Sequence, residues 1–224
     1  LVEKSKLSFA SPNTAGLFHN AILYDSRQEL SKSVVGLVTN TPQSFSGTGD
    51  HLVSEAFYFT DPEGNGLELY FDRPRDQWTW ENGQVKMDTL YINPSQYTED
   101  HINSKEESSA KKLGHVHLRV GDIDKAKIFY ISILGFDVTA DLPGALFMSV
   151  AGYHHHIAVN TWMSRNATKR QAAFGLSEIG ISLSSDDDVS QLATRLENSN
   201  WPFEYKNGKV YVSDPWDNRL IFRS

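Results

Sequence analysis

The chain contains internal repeats, and these limit the folds open to it more than any other feature. Residues 16–23 (GLFHNAIL) align with residues 175–182 (GLSEIGIS), and residues 58–71 (YFTDPEGNGLELYF) align with residues 211–223 (YVSDPWDNRLIFR). A period of about 50 residues can indicate a solenoid. Here, however, the repeated order is a strand, a helix and then further strands, which predicts modules that pair into a curved sheet.

Three complete units of this kind follow from the pattern of apolar residues, turns and helix caps. The predicted fold class is therefore α+β, with repeated βαβββ modules pairing into curved mixed sheets. The residues that precede Gly16 are too few for a module, so we expect an incomplete first module there. The predicted regions are an N-terminal module region at 1–73 with its complete module at 16–73, a connector at 74–112, and a C-terminal two-module domain at 113–224, divided into 113–162 and 175–223.

Charge and cysteine content exclude several functional classes. The 28 acidic residues outnumber the 21 basic ones, and the net charge of −7 argues against nucleic-acid and anionic-membrane partners. No apolar run approaches the roughly 18 residues of a membrane-spanning helix, so we expect a cytoplasmic protein. The absence of cysteine excludes disulfides, thiolate zinc sites, iron–sulfur clusters and cysteine nucleophiles. Any metal must be bound by His, Asp, Glu or Tyr.

One predicted strand, at 66–70, carries a carboxylate on a buried face. Alternation places its two leucines on one face and Glu68 with Tyr70 on the other. A buried carboxylate is costly unless something binds it. His19 lies in a second predicted strand, at 18–23, on the face opposite the large aliphatic residues, which suggests that Glu68 and His19 are metal ligands. The alternative is a hydrogen-bonded core glutamate and an unrelated surface histidine.

Two further stretches are rich in histidine. The strand predicted at 113–120 (LGHVHLRV) alternates between aliphatic and polar residues, which places His115 and His117 on one face. A run of three histidines at 154–156 opens a predicted strand that ends at Trp162. Because neighbouring strand residues point to opposite faces, either the first and third histidines or the second alone would face inward.

These stretches resemble a known superfamily. Residues 113–136 (LGHVHLRVGDIDKAKIFYISILGF) resemble the start of a vicinal oxygen chelate module, found in glyoxalase I, bleomycin-resistance proteins and type I extradiol dioxygenases. Residues 50–74 (DHLVSEAFYFTDPEGNGLELYFDRP) and 152–162 (GYHHHIAVNTW) are similar to the two-domain catechol 2,3-dioxygenases of Gram-positive bacteria. The resemblance covers nearly everything from Gly16 onward.

The resemblance implies a metal bound by two histidines and one carboxylate, namely His19, Glu68 and His115. It implies Fe(II), with Mn, Zn or Ni as alternatives, and open coordination positions for catechol and dioxygen. These ligands come from the units at 16–73 and 113–162, so we expect those two units to pair, although the family usually pairs the first module with the second and the third with the fourth. A histidine from the incomplete first module is the alternative to His115.

The resemblance also implies roles for side chains around the metal. Tyr58 matches a tyrosine that lies beside the substrate oxygens. The acid–base histidine is expected in the run at 154–156, where His156 is favoured and His154 has a smaller role. The remaining predicted site residues are His51 as a catalytic contact, and His117, Tyr70 and Trp162 as substrate-binding side chains.

The implied function is an Fe(II)-dependent extradiol ring-cleaving dioxygenase of aromatic-compound catabolism, acting on catechol or a related vicinal diol with dioxygen. One alternative is a glyoxalase-like isomerase or lyase, which would need four protein ligands, commonly two of them glutamates. Another is a non-enzymatic protein that binds an aromatic compound and confers resistance without a metal; the presence of His19 and Glu68 counts against it. The oligomeric state stays open, a homo-oligomer included.

Overall fold

The computed structural model describes residues 6–104 and 110–224, which form two sheets, one short hairpin and several helices. The strands are β1 (Gly16–Tyr24), β2 (Phe45–Asp50), β3 (Ser54–Thr60), β4 (Gly66–Asp72), β5 (Trp80–Glu81), β6 (Gln84–Val85), β7 (Lys111–Arg119), β8 (Asp137–Leu142), β9 (Ala145–Ser149), β10 (Ile157–Asn160), β11 (Ile179–Ser182), β12 (Phe203–Lys206), β13 (Lys209–Ser213) and β14 (Arg219–Arg223). The helices are α1 (Arg27–Asn40), α2 (Pro94–His101), α3 (Ile123–Ala126) and α4 (Asp186–Asn198).

The first two complete units share one eight-stranded sheet. Its strand order is β2-β3-β4-β1-β7-β10-β9-β8, so each unit contributes four neighbouring strands. Within each unit the first and last strands run parallel, and the units meet where β1 pairs antiparallel with β7. The last unit forms a separate four-stranded sheet in the order β11-β14-β13-β12. The predicted α+β class is confirmed.

Alternation along the strands gives the eight-stranded sheet one apolar and one polar face. On the apolar face, Leu69 packs under α1, while Leu118 joins α3 and the last unit's sheet in the largest buried cluster. Each fully buried side chain of this size contributes about 1.5–3 kcal/mol to the free energy of unfolding. The opposite face carries buried His19, Glu68 and His115. The apolar face therefore stabilises the fold, and the polar face carries the buried side chains that could bind a ligand.

Side-chain caps start α1 and α3, and α3 changes its helical geometry after its first turn. The Ser26 hydroxyl accepts a hydrogen bond from the backbone N–H of Glu29 at the start of α1, and Asp122 caps α3 in the same way. α3 continues as a π-helical segment, Lys127–Ile133. Phe129 and Tyr130 in this segment are both fully buried.

The predicted connector at 74–112 contains secondary structure of its own. It contains the β5–β6 hairpin and α2, and its last residues begin β7. Residues 105–109 of the connector lie outside the described residues. No helix in the described ranges is both long and apolar enough to cross a bilayer.

Candidate metal site and cavity

Three predicted ligands lie together on the polar face of the large sheet. Glu68, His19 and His115 belong to the neighbouring strands β4, β1 and β7, and all three side chains are buried. Oε2 of Glu68 lies 3.0 Å from Nε2 of His19 and 3.3 Å from Nε2 of His115. One donor atom from each residue lies within 4.8 Å of the others. Three donors thus point at one small volume at the junction of the two units.

Two glycines allow the strands to bring these side chains so close. Gly66 faces His19 in the β1–β4 pairing, and a Cβ at position 66 would lie 2.2 Å from the carbonyl oxygen of Phe18. A Cβ at Gly114 would lie 1.8 Å from the hydroxyl oxygen of Tyr70. A larger residue at 66 would push β1 and β4 apart, and a larger residue at 114 would displace the Tyr70 ring that packs beside His115.

The charges of the cluster suit a divalent cation. Burial would raise the pKa of Glu68, but His115 and His19 outweigh it and hold that pKa well below its usual value. Burial lowers the pKa of His115 to about 4, against the opposing effect of Glu68. Near pH 7 the site therefore presents a carboxylate beside a neutral His115, which is the protonation state that a metal requires.

A buried nitrogen without a partner supports the fit to a metal. Nε2 of His19 forms no hydrogen bond of acceptable geometry with any described residue, although Glu68 is near it. Buried polar atoms are normally satisfied, so an unpaired ring nitrogen beside a carboxylate calls for another partner. Two imidazoles and one carboxylate are the donor set of non-haem Fe(II) sites with open coordination positions. His19, Glu68 and His115 therefore fit such an ion.

A cavity of about 840 Å³ opens above the ligands. His19 and Glu68 line it from the centre of the sheet, while Thr48 on β2 and Phe147 on β9 line it from opposite halves, so the sheet curls around it. Its volume lies within the range of small-molecule sites. Its other apolar lining includes Phe18, Met87, Leu142, Pro143 and Trp162.

Tyr58 and His51 form a hydrogen-bonded pair on the cavity wall. Nδ1 of His51 lies 2.8 Å from the carbonyl oxygen of Asp88, which can only accept, so this nitrogen carries the proton. Nε2 of His51 then accepts a hydrogen bond from the Tyr58 hydroxyl at 2.6 Å. Burial and the nearby Glu68 carboxylate raise the pKa of Tyr58 well above its usual value. Tyr58 is therefore a protonated donor beside the three ligands.

The histidine run does not have the predicted orientation. His155 lines the cavity, and its ring centroid lies 4.0 Å from that of His115. His156 lines a different cavity on the other side of the sheet, and His154 is buried beneath the site. The prediction that His156 faces the metal is wrong because β10 begins only at Ile157, so strand alternation does not govern the three histidines.

The predicted substrate-binding residues divide between the cavity and the core. His117 and Trp162 line the cavity, and the side-chain N–H of Asn160 donates to Nε2 of His117 at 3.0 Å. Tyr70 does not line it, which corrects that prediction: its hydroxyl lies 2.9 Å from the hydroxyl of Tyr153, on the side away from the cavity. The small Gly114 leaves the room that this buried ring needs.

Sequence reasoning missed three contributors to the site. Phe18 and Phe147 line the cavity, and Asp72 holds His154 from below with 2.8 Å between Oδ1 and Nε2. The alternation that selected Glu68 could also have identified Asp72, because Asp72 lies four residues further along β4 and is therefore on the same face. Nothing in the sequence distinguishes the two phenylalanines that line the cavity from phenylalanines of the core.

Comparison with known proteins identifies the family. Residues 112–222 match the Glyoxalase/Bleomycin resistance protein/Dioxygenase superfamily. The chain belongs to this superfamily. It is 36% identical over 215 residues to a protein of Bacillus subtilis (strain 168) named catechol-2,3-dioxygenase, and the match covers 93% of this chain and 75% of that relative.

A solved structure supports the fold. A candidate dioxygenase from Bacillus subtilis subsp. subtilis str. 168 matches with a TM-score of 0.59 and 12% sequence identity, over 92% of this chain and 61% of that one. At this identity the likeness concerns the fold alone. The chain spans less than two thirds of the length of that structure.

Proposed function

We propose that this protein is a metal-dependent extradiol dioxygenase that cleaves the ring of catechol or a related vicinal diol. The observation that carries the proposal is the convergence of His19, Glu68 and His115 beneath an aromatic-lined cavity. The 36% identity to a protein named catechol-2,3-dioxygenase supports the same reaction. Dioxygen is the second substrate in this proposal.

His19, Glu68 and His115 are the proposed ligands of the metal, for which Fe(II) is the first choice and Mn, Zn and Ni are alternatives. When bound there, Fe(II) supplies acidification of a diol hydroxyl and activation of dioxygen beside the ring. The protein donors form three points of attachment on one side, which leaves the cavity side for the two substrates.

Tyr58 orients the diol in this proposal. Its hydroxyl is protonated and lines the cavity beside Glu68. In the free protein it donates to Nε2 of His51. When a diol binds, the Tyr58 proton can turn to a substrate oxygen, and His51 then has an acceptor nitrogen free for a second hydroxyl.

His155 is the proposed acid–base residue. Burial lowers the pKa of His155 well below its usual value, so its ring is neutral near pH 7. A neutral imidazole on the cavity wall can take the proton of a diol hydroxyl and later return it to the cleaved product. His117 on the same wall is also neutral because burial lowers its pKa, and its Nε2 is occupied by Asn160, so His117 serves binding instead.

Aromatic side chains complete the site. Phe18 lies edge-on to His117 and to Trp162, with ring centroids 4.9 Å and 5.5 Å apart. Phe147 packs against His155 in a similar edge-on manner at 5.0 Å. These rings offer a flat ligand apolar contacts above the ligands and reduce the access of water. A planar vicinal diol matches this combination of apolar walls and polar floor.

The donor set distinguishes this proposal from the two alternatives. A glyoxalase-like isomerase would use four protein ligands, whereas the cluster among the described residues has three. A metal-free binding protein would bury the Glu68 carboxylate with only the two histidines beside it and would leave Nε2 of His19 without a hydrogen-bond partner. Both features count towards a metal site with open positions.

Reconstitution with Fe(II) tests the proposal directly. Protein loaded anaerobically with Fe(II) is mixed with catechol and air, and oxygen uptake is followed together with the visible absorbance of the ring-opened product. Proximal extradiol cleavage gives a coloured semialdehyde, and one O₂ is consumed per ring. Metal retention without oxygen uptake across catechol and its alkyl- and carboxyl-substituted relatives would contradict the proposal. A matched control is Ile221→Ala, at the repeat position equivalent to Glu68, which should keep wild-type turnover.

A further inference from the structure

A chain of three side chains connects the cavity wall to the end of β4. Oδ1 of Asp72 lies 2.8 Å from Nε2 of His154, and Nδ1 of His154 lies 2.7 Å from Nδ1 of His155. His154 is fully buried and His155 nearly so, while Asp72 is partly exposed. The two histidine rings therefore have few alternative partners.

The order of donors along this chain follows from the carboxylate. A carboxylate accepts only, so the proton on Nε2 of His154 is donated to Asp72. With that single proton on its ring, His154 has a bare Nδ1, which accepts from the N–H at Nδ1 of His155. The nitrogen of His155 that remains, Nε2, is left without a proton. In serine hydrolases a carboxylate sets the tautomer of the catalytic imidazole in the same way. In this protein one more imidazole, that of His154, lies between the carboxylate and the proposed base, His155.

Further hydrogen bonds hold the chain in place. The Tyr153 hydroxyl donates to Oδ2 of Asp72 at 2.8 Å, so both carboxylate oxygens are occupied. Burial and Asp72 raise the pKa of Tyr153, so this phenol stays a donor. The Thr139 hydroxyl donates to the backbone carbonyl of His154 at 2.5 Å, and the Ser149 hydroxyl donates to that of Tyr153 at 2.6 Å. The backbone around the histidines is thus held from β8 and β9.

We propose that Asp72 and His154 are positioning residues that hold His155 with its proton on Nδ1 and its Nε2 lone pair directed at the substrate cavity. Neither Asp72 nor His154 lines that cavity. Their effect on catalysis would act through His155 alone. The kinetic part of this inference rests on the proposed function, whereas the tautomer of His155 does not.

The tautomer can be measured by long-range ¹H–¹⁵N correlation spectra of the full chain loaded with diamagnetic Zn²⁺. The His155 ring is assigned by its absence in His155→Gln. We expect a protonated Nδ1 and an unprotonated Nε2 in the wild type, and a change of this pattern in Asp72→Asn. A wild-type His155 with its proton on Nε2, or an Asp72→Asn spectrum identical to wild type, would overturn the inference.

Kinetics of the Fe(II) protein give the second readout. Asp72→Asn and His154→Leu should lower kcat by about 10²-fold with little change in KM and with wild-type metal content, because no ligand or cavity residue is altered. His154→Gln should recover much of the loss, because its amide can donate to Asp72 and accept from His155. Tyr153→Phe removes the bond to the other carboxylate oxygen and the contact with the Tyr70 hydroxyl but leaves the Asp72–His154 bond in place, so it is the matched control and should stay near wild type.

The outcomes separate this inference from the proposed function. A wild-type protein that lacks ring cleavage but shows the expected His155 tautomer counts against the function and supports the positioning chain. An active wild type in which Asp72→Asn and His154→Leu keep full kcat contradicts the positioning chain and leaves the function standing. Equal losses in Tyr153→Phe and Asp72→Asn would indicate a general structural role and also contradict it.

Discussion

The first and last complete units have the same backbone pairing but different side chains at the positions that matter for chemistry. Ala21 on β1 faces Glu68 on β4, and in the last unit Gly180 on β11 faces Ile221 on β14 in the equivalent parallel register. The last unit contains no histidine, and the residue that aligns with His19 is the exposed Glu178. The βαβββ backbone therefore forms with or without the ligands.

The two units do share a turn. In the first, Oδ1 of Asp61 accepts from the backbone N–H of Asn65 at 2.8 Å, and Oδ2 accepts from its side-chain amide at 2.9 Å. In the last, Asp214 and Asn218 make the same two bonds, each at 2.8 Å. The aspartate and asparagine of the repeated motif thus build the turn that starts the final strand, and Glu68 is separable from them.

The largest effect should follow from Glu68→Ala. It removes the carboxylate between His19 and His115 and leaves two imidazoles without an anionic donor, so the protein should lose its metal and all turnover. Ile221→Ala, the equivalent change in the last unit, should alter only packing. Metal content after dialysis, measured by mass spectrometry, checks this. Equal metal in Glu68→Ala and wild type would refute the assignment of the site to the first two units.

A smaller loss is expected from His155→Ala. The three ligands are untouched, so iron and catechol should still bind, but turnover should fall by roughly 10²–10⁴-fold because the acid–base group is absent. His156→Ala, on the opposite side of the sheet, should keep near wild-type kcat. Steady-state kinetics of both variants at matched iron content decide the matter, and the reverse result would return the role to His156.

Acid should weaken the metal-free protein through the first two units. The pKa of His115 is about 4 in the folded chain and about 6.5 when unfolded, so the unfolded chain binds the extra proton between these values. Stability is therefore full above about pH 6.5 and falls as the pH drops towards 4. Glu68, whose pKa burial would raise but the two histidines lower, adds a loss at still lower pH.

Urea midpoints of metal-free protein at about pH 7.5 and about pH 5 measure this loss. His115→Phe removes the buried imidazole, so its midpoint should fall less than that of the wild type over the same interval. An identical fall in both proteins would show that titration of His115 does not weaken the fold.

The smallest effects should come from the shared turn. Asp61→Ala should lower the free energy of unfolding by about 1 kcal/mol, whereas Asp214→Ala should cost about 3 kcal/mol because it also strands the buried Tyr130 hydroxyl, now 2.9 Å from Oδ2 of Asp214. Neither variant should change metal content. Loss of metal in Asp61→Ala at wild-type stability would mean that the turn also positions Glu68.

Periodicity accounts for what the sequence could predict. Strand alternation, which depends on local geometry, selected Glu68 and His19 and placed His115 on a polar strand face; the resemblance to the superfamily then implied His115 as the third ligand. The structure brings these three residues together. The repeats predicted the order of elements in each unit because turns and caps are local signals. These features needed no knowledge of the tertiary structure.

The misses occur where local periodicity does not apply. The histidine run precedes β10, so its orientation depends on bonds to Asp72 and Thr139 from distant strands. Tyr70 shares the face of Glu68, yet the glycine at 114 lets its ring pass beneath the neighbouring strand instead of lining the cavity. Both outcomes depend on tertiary contacts that a single sequence does not display.

The position of the three ligands on β4, β1 and β7 makes metal binding a form of crosslinking between two repeats. Glu68 and His19 belong to one unit and His115 to the other, so a cation held by all three bridges the pairing of β1 with β7 that joins the halves of the large sheet. Binding to the folded chain alone adds RT ln(1 + [L]/Kd) to its free energy of unfolding. The stability of the junction between the two repeats therefore depends on the concentration of free metal.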